Sequence, residues 1–221
     1  MLEKTQIPYG DGTITIIVST ESATEVKAPD IRFGRYYDTA VACFSDKELD
    51  QIADGSSAQV SFSYVMTDEL ENPQQAQAFE EAIALESQDR GRINKGVFFE
   101  VDTSKEIAGE VVGDLDTLYE DVEIQFDIPM YLSSPDRVFI AMTDAKGVID
   151  TDEDVDEDAV TLSVNTHNVG TTLLAYQEKK DMTMVRKTRQ LIPPQYLFIA
   201  GIIALVLIWI AVDRRYKKNR D

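Results

Sequence analysis

QVSFSYVM (residues 59–66) and VEIQFDI (residues 122–128) alternate apolar and polar side chains with a period of two. Successive side chains of a strand point to opposite faces, so Val60, Phe62, Tyr64 and Met66 share one face, as do Val122, Ile124, Phe126 and Ile128. Both segments therefore read as half-buried strands, with one face on a core and the other in water. Shorter runs of the same kind occur at 13–19 (Ile14, Ile16, Val18), 97–101 and 160–164, while 138–142 and 172–176 are more continuously apolar. Seven or eight short strands separated by turn-rich segments predict an antiparallel, immunoglobulin-like β-sandwich. No regular alternation of strand and helix points to a parallel sheet.

Two helices interrupt this pattern. Ser45 followed by Glu48 is a capping box, and Phe44 with Leu49 a hydrophobic staple, which predicts a short helix from Asp46 to about Asp54, stopped by Gly55. Asn72 before Pro73 predicts a second helix, running to about Gln88, with Ala76, Phe79, Ala82 and Ile83 on its buried stripe.

Composition narrows the function. The chain has 221 residues, 21 Lys and Arg against 40 Asp and Glu, a net charge of −19, one His and one Cys. A disulfide scaffold is excluded, and so acidic a chain lacks the basic face that nucleic acid requires. Residues 1–178 alone carry 11 basic and 37 acidic side chains, a net charge of −26. Such a domain repels its own copies and stays soluble, although self-repulsion lowers its stability in dilute salt.

Residues 196–212, YLFIAGIIALVLIWIAV, are 17 residues without a charge, and eleven of them are Leu, Ile, Val or Phe. As a helix they reach about 25 Å, enough to span the hydrocarbon core, and insertion is favoured by roughly 3–6 kcal/mol. A C-terminal transmembrane helix with the lipid bilayer as its partner is therefore expected. Its flanks do not orient it: Lys179, Lys180, Arg186, Lys187 and Arg189 precede it, and Arg214, Arg215, Lys217, Lys218 and Arg220 follow. The expected organisation is an acidic β-rich extracellular domain (1–178), a basic juxtamembrane linker (179–195), the membrane helix (196–212) and a basic cytoplasmic tail (213–221). The opening MLEKTQIPYGDG has no secretory signal, which leaves two expectations: the C-terminal piece of a longer exported protein, or a complete tail-anchored protein facing the cytosol.

Across residues 40–178, the run FSDKELDQIADGSSAQVSFSYVM (44–66), the helix AFEEAI (78–83), GVFFEVDTSKEI (96–107), VEIQFDIPMYL (122–132), DRVFIAMTDAKGVID (136–150) and DAVTLSVNTHNVGTTLLAYQE (158–178) resembles a β-rich extracellular module. This module lies near the C-terminus of large cell-surface proteins of Gram-positive, gut-associated Firmicutes. The resemblance implies a plasma-membrane location with the large domain outside, a structural role and no catalytic residue. Two departures stand out. The turn before the last strand reads Asn168-Val169-Gly170-Thr171 where the family usually carries Phe-Ser, and no Leu-Pro-x-Thr-Gly sorting signal occurs, Leu191-Ile192-Pro193-Pro194-Gln195 being the nearest text. Retention in lipid, and not transfer to the wall, is the corresponding expectation.

Candidate chemistry is sparse. Asp150, Asp152, Asp154, Asp156 and Asp158 have the spacing that opens a calcium loop, but Val155 stands where an EF-hand needs Gly, and Thr161 where it needs a bidentate carboxylate. A solvated acidic hairpin loop is the expectation there, with calcium as the alternative. His167 reads as an exposed turn residue without an orienting carboxylate, Cys43 as a buried apolar residue, and Gly10 and Gly12 do not form a phosphate loop. Lys95, Lys105 and Lys146 adjoin strands, and Asn165 and Asn168 are conceivable acceptors for an intramolecular isopeptide bond. The expected function is a non-enzymatic, membrane-anchored stalk or adhesion support without a cofactor. The rivals are a cytosol-facing tail-anchored adaptor that uses its acidic face on a basic partner, and a calcium-dependent adhesin.

Overall fold

The computed structural model describes residues 2–156 and 158–182. The chain runs β1 (Leu2–Tyr9), β2 (Gly12–Ser22), β3 (Ile31–Phe33), α1 (Tyr36–Ala42), α2 (Asp46–Ala53), β4 (Ser57–Thr67), α3 (Pro73–Arg90), β5 (Ile93–Ile107), β6 (Glu110–Gly113), β7 (Thr117–Asp127), β8 (Arg137–Ala145), β9 (Val148–Glu153), β10 (Thr161–Asn168) and β11 (Thr172–Glu178). All seven segments with strand periodicity are strands. β1, β3, β6 and β9 and the helix α1 lie beyond what that periodicity marked.

The strands form two sheets. The larger is ordered β1-β2-β4-β5-β11-β8-β9 with β6 on β5, and the smaller is β10-β7-β3. They are mainly antiparallel, but β2 and β4 pair in parallel from Thr13 opposite Ser57 to Ser22 opposite Met66. This corrects the wholly antiparallel expectation. The physical reason lies in the connection: a parallel return needs a long crossover, and residues 23–56 supply one through β3, α1 and α2. Residues 2–39 thus belong to the same fold, β1 and β2 in the large sheet and β3 in the small one.

One core joins the sheets. Ile14, Ile16, Val60, Phe62, Val97 and Phe99 of the large sheet are buried in the same cluster as Ile31, Phe33, Val122, Ile124, Phe126, Leu162 and Val164 of the small one. Phe33 meets Phe62 with ring centroids 4.9 Å apart, and Phe99 meets Phe126 at 5.4 Å. The outer face of the large sheet is divided. Beside α3, Phe98, Ile140, Met142, Leu173 and Ala175 form a second cluster around Phe79. This is why 138–142 and 172–176 are continuously apolar: β8 and β11 are covered on both faces. On β4, which α3 does not cover in this way, the outward residues include Gln59, Ser61 and Ser63, with Val65 exposed among them.

The helix signals hold. Asn72 Oδ1 accepts from the N–H groups of Gln74 (3.0 Å) and Gln75 (3.4 Å). Glu48 Oε2 accepts from both the N–H and the Oγ–H of Ser45 at 2.8 Å. Glu48 also holds Lys105, a strand lysine only 7% exposed, at 2.9 Å. Burial works against the Glu48 charge, but Lys105 and the Ser45 donors outweigh it and hold its carboxyl below the usual range. Gly12 permits a close approach rather than a turn conformation. A Cβ there would sit 2.1 Å from Ile52 O and 2.3 Å from Ser56 O, so the β1–β2 hairpin packs directly on the end of α2. The N–H of Asp11 donates to Ala53 O at 2.9 Å in the same contact.

No helix of the described residues is long and apolar enough to cross a membrane. The expected spanning segment 196–212, the tail 213–221 and residues 183–195 of the expected linker lie outside the described residues.

Thermal unfolding of the detergent-solubilised chain, followed by circular dichroism, checks this packing. Phe62→Ala is expected to lose about 3–5 kcal/mol through the cavity between the sheets, and Gly12→Ala on the order of 3 kcal/mol through overpacking. Ser61→Ala, on the uncovered outer face, should stay within about 0.5 kcal/mol of the parent.

Candidate functional site

The acidic stretch 150–158 is divided between an edge strand and a loop. β9 pairs only with β8 in its sheet, and its alternate residues Asp150 and Asp152, with Asp154 just beyond, meet the polar residues of β10 in the small sheet. Asn168 Nδ2 donates to Asp150 Oδ2 at 3.0 Å, the Ser163 N–H to Asp154 Oδ1 at 3.0 Å, and Ser163 Oγ to Asp156 Oδ2 at 3.2 Å. The Val155 N–H closes the same seam on Ser163 O at 2.8 Å. Asp158 turns back on its own loop, accepting from the N–H groups of Val160 (2.7 Å) and Thr161 (2.6 Å) and from Thr161 Oγ1 (2.8 Å).

The five aspartates are therefore spread along a strand junction. From Ser163 to Asn168 a strand advances about 17 Å, whereas a calcium ion needs its oxygens within about 2.3–2.6 Å of one point. Among the described residues no three acidic, His or Cys side chains converge in a way that could hold a metal ion.

Burial here is costly in charge. Asp154 is 9% exposed, and its Oδ2 is enclosed without a hydrogen-bond partner. Desolvation, with Asp156 adding to it against the pull of the Ser163 N–H, pushes its carboxyl up to about 6. Asp152 shifts upward too, through burial first and then the neighbouring Asp150. Its Oδ2 is likewise enclosed.

A second acidic feature lies where the β8–β9 turn, the β6–β7 connection and the β10–β11 turn meet. It is an open cleft of about 310 Å³ lined by Asp102, Asp114, Asp116, Asp144, Lys146 and Gln75 among others. Asp144 is already engaged, accepting from Gln75 Nε2 at 2.8 Å and from the Gly147 N–H at 2.6 Å. Lys146 stands 3.6 Å from Asp116. The turn at residues 168–171 forms part of this wall, and a Cβ on Gly170 would come within 2.0 Å of Asp144 O. The sequence does not announce this cleft because its aspartates come from three separate segments; the only local hint is the pair Asp114 and Asp116.

The remaining candidates fall into place singly. His167 lies on β10, not in a turn, and Asp121 of β7 stands 2.8 Å from its Nδ1. A carboxylate thus does face it, brought there by a break in β10–β7 register between Thr166 and Asn168. Both side chains are more than half exposed, so this is a surface contact. Cys43 is buried, and desolvation, only partly offset by Lys105, pushes its thiol up to about 12, far from a reactive thiolate. The three candidate lysines have other company: Lys95 lies over the Phe98 ring, Lys105 holds Glu48, and Lys146, in the β8–β9 turn, faces Asp116. Asn165 is exposed, and Asn168 is bonded to Asp150.

No family model, curated protein or solved structure matches this chain.

The seam predicts a pH dependence of definite sign. The folded-state pKa of Asp154 lies above its ordinary value of 3.8, so its contribution to stability is fully present below that value and is lost as pH rises through about 6. Asp154→Asn keeps an oxygen for the Ser163 N–H and removes the charge. Its melting temperature should exceed the parent's at pH 7.5, by the equivalent of about 1–3 kcal/mol, and the difference should shrink towards zero near pH 4. A difference that stays constant with pH would contradict the assignment. Calorimetric titration of the chain with calcium should give no heat above dilution.

Proposed function

We propose that this chain is a membrane-anchored, non-enzymatic structural module of the cell surface, a stalk or adhesion support of the Gram-positive kind. The observation that carries the reading is the 17-residue charge-free stretch 196–212, which follows a folded, strongly acidic β-rich unit whose last strand ends at Glu178. An immunoglobulin-like sandwich, here with a parallel β2–β4 pair and an outer helix, is a common load-bearing form because many paired strands share one core. The acidic surface keeps neighbouring copies apart. Basic residues on both sides of 196–212 would add about 1 kcal/mol each on an anionic leaflet. The buried Cys43 and the exposed His167–Asp121 pair offer no activated nucleophile, in keeping with a passive role.

The adaptor reading keeps one supporting observation. The cleft lined by Asp102, Asp114, Asp116 and Asp144 contains a single lysine and would suit a cationic side chain of a cytosolic partner.

Protease treatment of intact cells separates the two. The surface reading expects residues 1–178 to be digested without permeabilisation, and the remainder to be released by detergent without muramidase. Protection of the acidic domain until the cells are opened would favour the adaptor, and release only after wall digestion would refute retention in lipid.

A further inference from the structure

The pole from which the chain leaves the sandwich displays apolar side chains that the fold does not use. At the end of β11 the Lys179 N–H donates to Asp136 O at 2.7 Å, and the Lys179 ammonium donates to Pro135 O at 2.7 Å. The loop so fastened begins with a tight turn in which Pro129 O accepts from the N–H groups of Leu132 (2.8 Å) and Ser133 (3.1 Å). That turn projects Met130 and Tyr131, which are 88% and 50% exposed. Val160, 61% exposed, is held at the same end: its carbonyl accepts from the Ile128 N–H at 2.8 Å, and Ser133 Oγ bonds the adjoining Ala159 O at 2.7 Å. Met130 and Tyr131 therefore stand on a loop tied by hydrogen bonds to both the exit point and the β10 entry. Lys179 and Lys180, at the exit point, are exposed.

The position of the exit argues for what covers this tip. Thirteen residues, 183–195, separate the described chain from Tyr196 and cannot reach beyond about 45 Å. The chain leaves the module at this pole, which therefore stays within that distance of whatever receives the apolar stretch. A Met, a Tyr and a Val on a pole that also carries two exposed lysines have the chemistry of a bilayer interface, where amphipathic rings and apolar tips enter the headgroup boundary and ammonium groups meet phosphates. A tether of this length also turns a contact too weak for free association into an intramolecular one.

We propose that the Met130–Tyr131 tip, with Val160, Lys179 and Lys180, rests in the interfacial zone of the membrane that holds residues 196–212, so that the module stands on the bilayer by this pole. The inference rests on the membrane-anchor reading and adds a second, non-covalent lipid contact to it.

The test uses the full chain in vesicles of phosphatidylcholine and phosphatidylglycerol. Met130→Cys is labelled with an environment-sensitive fluorophore, and Val112→Cys, an exposed position on β6 near the opposite pole, serves as control. The buried Cys43 should escape the label. Flotation first reports whether the chain enters the vesicles. The proposal expects it to float, with the probe at 130 blue-shifted and quenched several-fold more strongly by a lipid-borne quencher than the probe at 112. A chain that floats while 130 stays as solvent-like as 112 overturns the lipid contact and leaves the anchor standing. A blue shift at 130 without lipid quenching, growing with protein concentration, assigns the tip to a second copy and also overturns it. A chain that does not float overturns anchor and contact together.

Discussion

The apolar contact between the two sheets is the constraint on which the rest of the molecule depends. Phe62 and Phe99 face into the space that Phe33 and Phe126 fill from the opposite side, and buried aliphatic residues from both sheets complete the layer. Each such side chain contributes roughly 1.5–3 kcal/mol when taken out of water. That gain must hold together a domain whose first 178 residues carry a net charge of −26. The self-repulsion this implies is met at the surface by placing carboxylates mainly in water, and at one seam by spending hydrogen-bond donors of β10 on them. Where the donors run short, at Asp152 and Asp154, a carboxylate oxygen is left enclosed and the acid weakens.

The few cations are deployed accordingly. Lys105 crosses from β5 to anchor Glu48 at the start of α2, tying the crossover between the parallel strands to the sheet it spans. Arg90 at the end of α3 reaches both Glu86 and Glu153, linking the outer helix to the edge strand β9. Arg137 lies over the Tyr176 ring and pairs with Glu178, fixing the last strand where the chain departs. Each joins elements distant in sequence, so together they brace the unit against splaying, although the partly exposed pairs are individually modest.

How much of this was legible depended on whether the determining physics was local. The strand at 59–66 and the caps at Ser45 and Asn72 are local patterns and could be read directly. The continuous apolarity of 138–142 and 172–176 was visible, but its cause, a helix lying over both strands, is tertiary. The parallel pairing of β2 with β4 left no local trace, because it is set by where residues 23–56 return the chain. The helix α1 had no capping side chain to announce it. The aspartates of 150–158 were conspicuous as a charge run, yet their partners, Ser163 and Asn168, become visible only when β9 and β10 are brought edge to edge. The cleft around Asp144 and the apolar tip at Met130 arise from loops that only the folded chain assembles.

A load-bearing role requires the two sheets to yield as one unit, and native-state amide hydrogen exchange on the full chain in micelles tests this most directly. The shared core predicts that the central amides of β7, around Ile124 and Phe126, exchange through the same opening free energy as those of β4, around Phe62 and Tyr64. If β7 opened several kcal/mol below β4, the small sheet would be a separately yielding flap, and the account of a single stiff module would be contradicted.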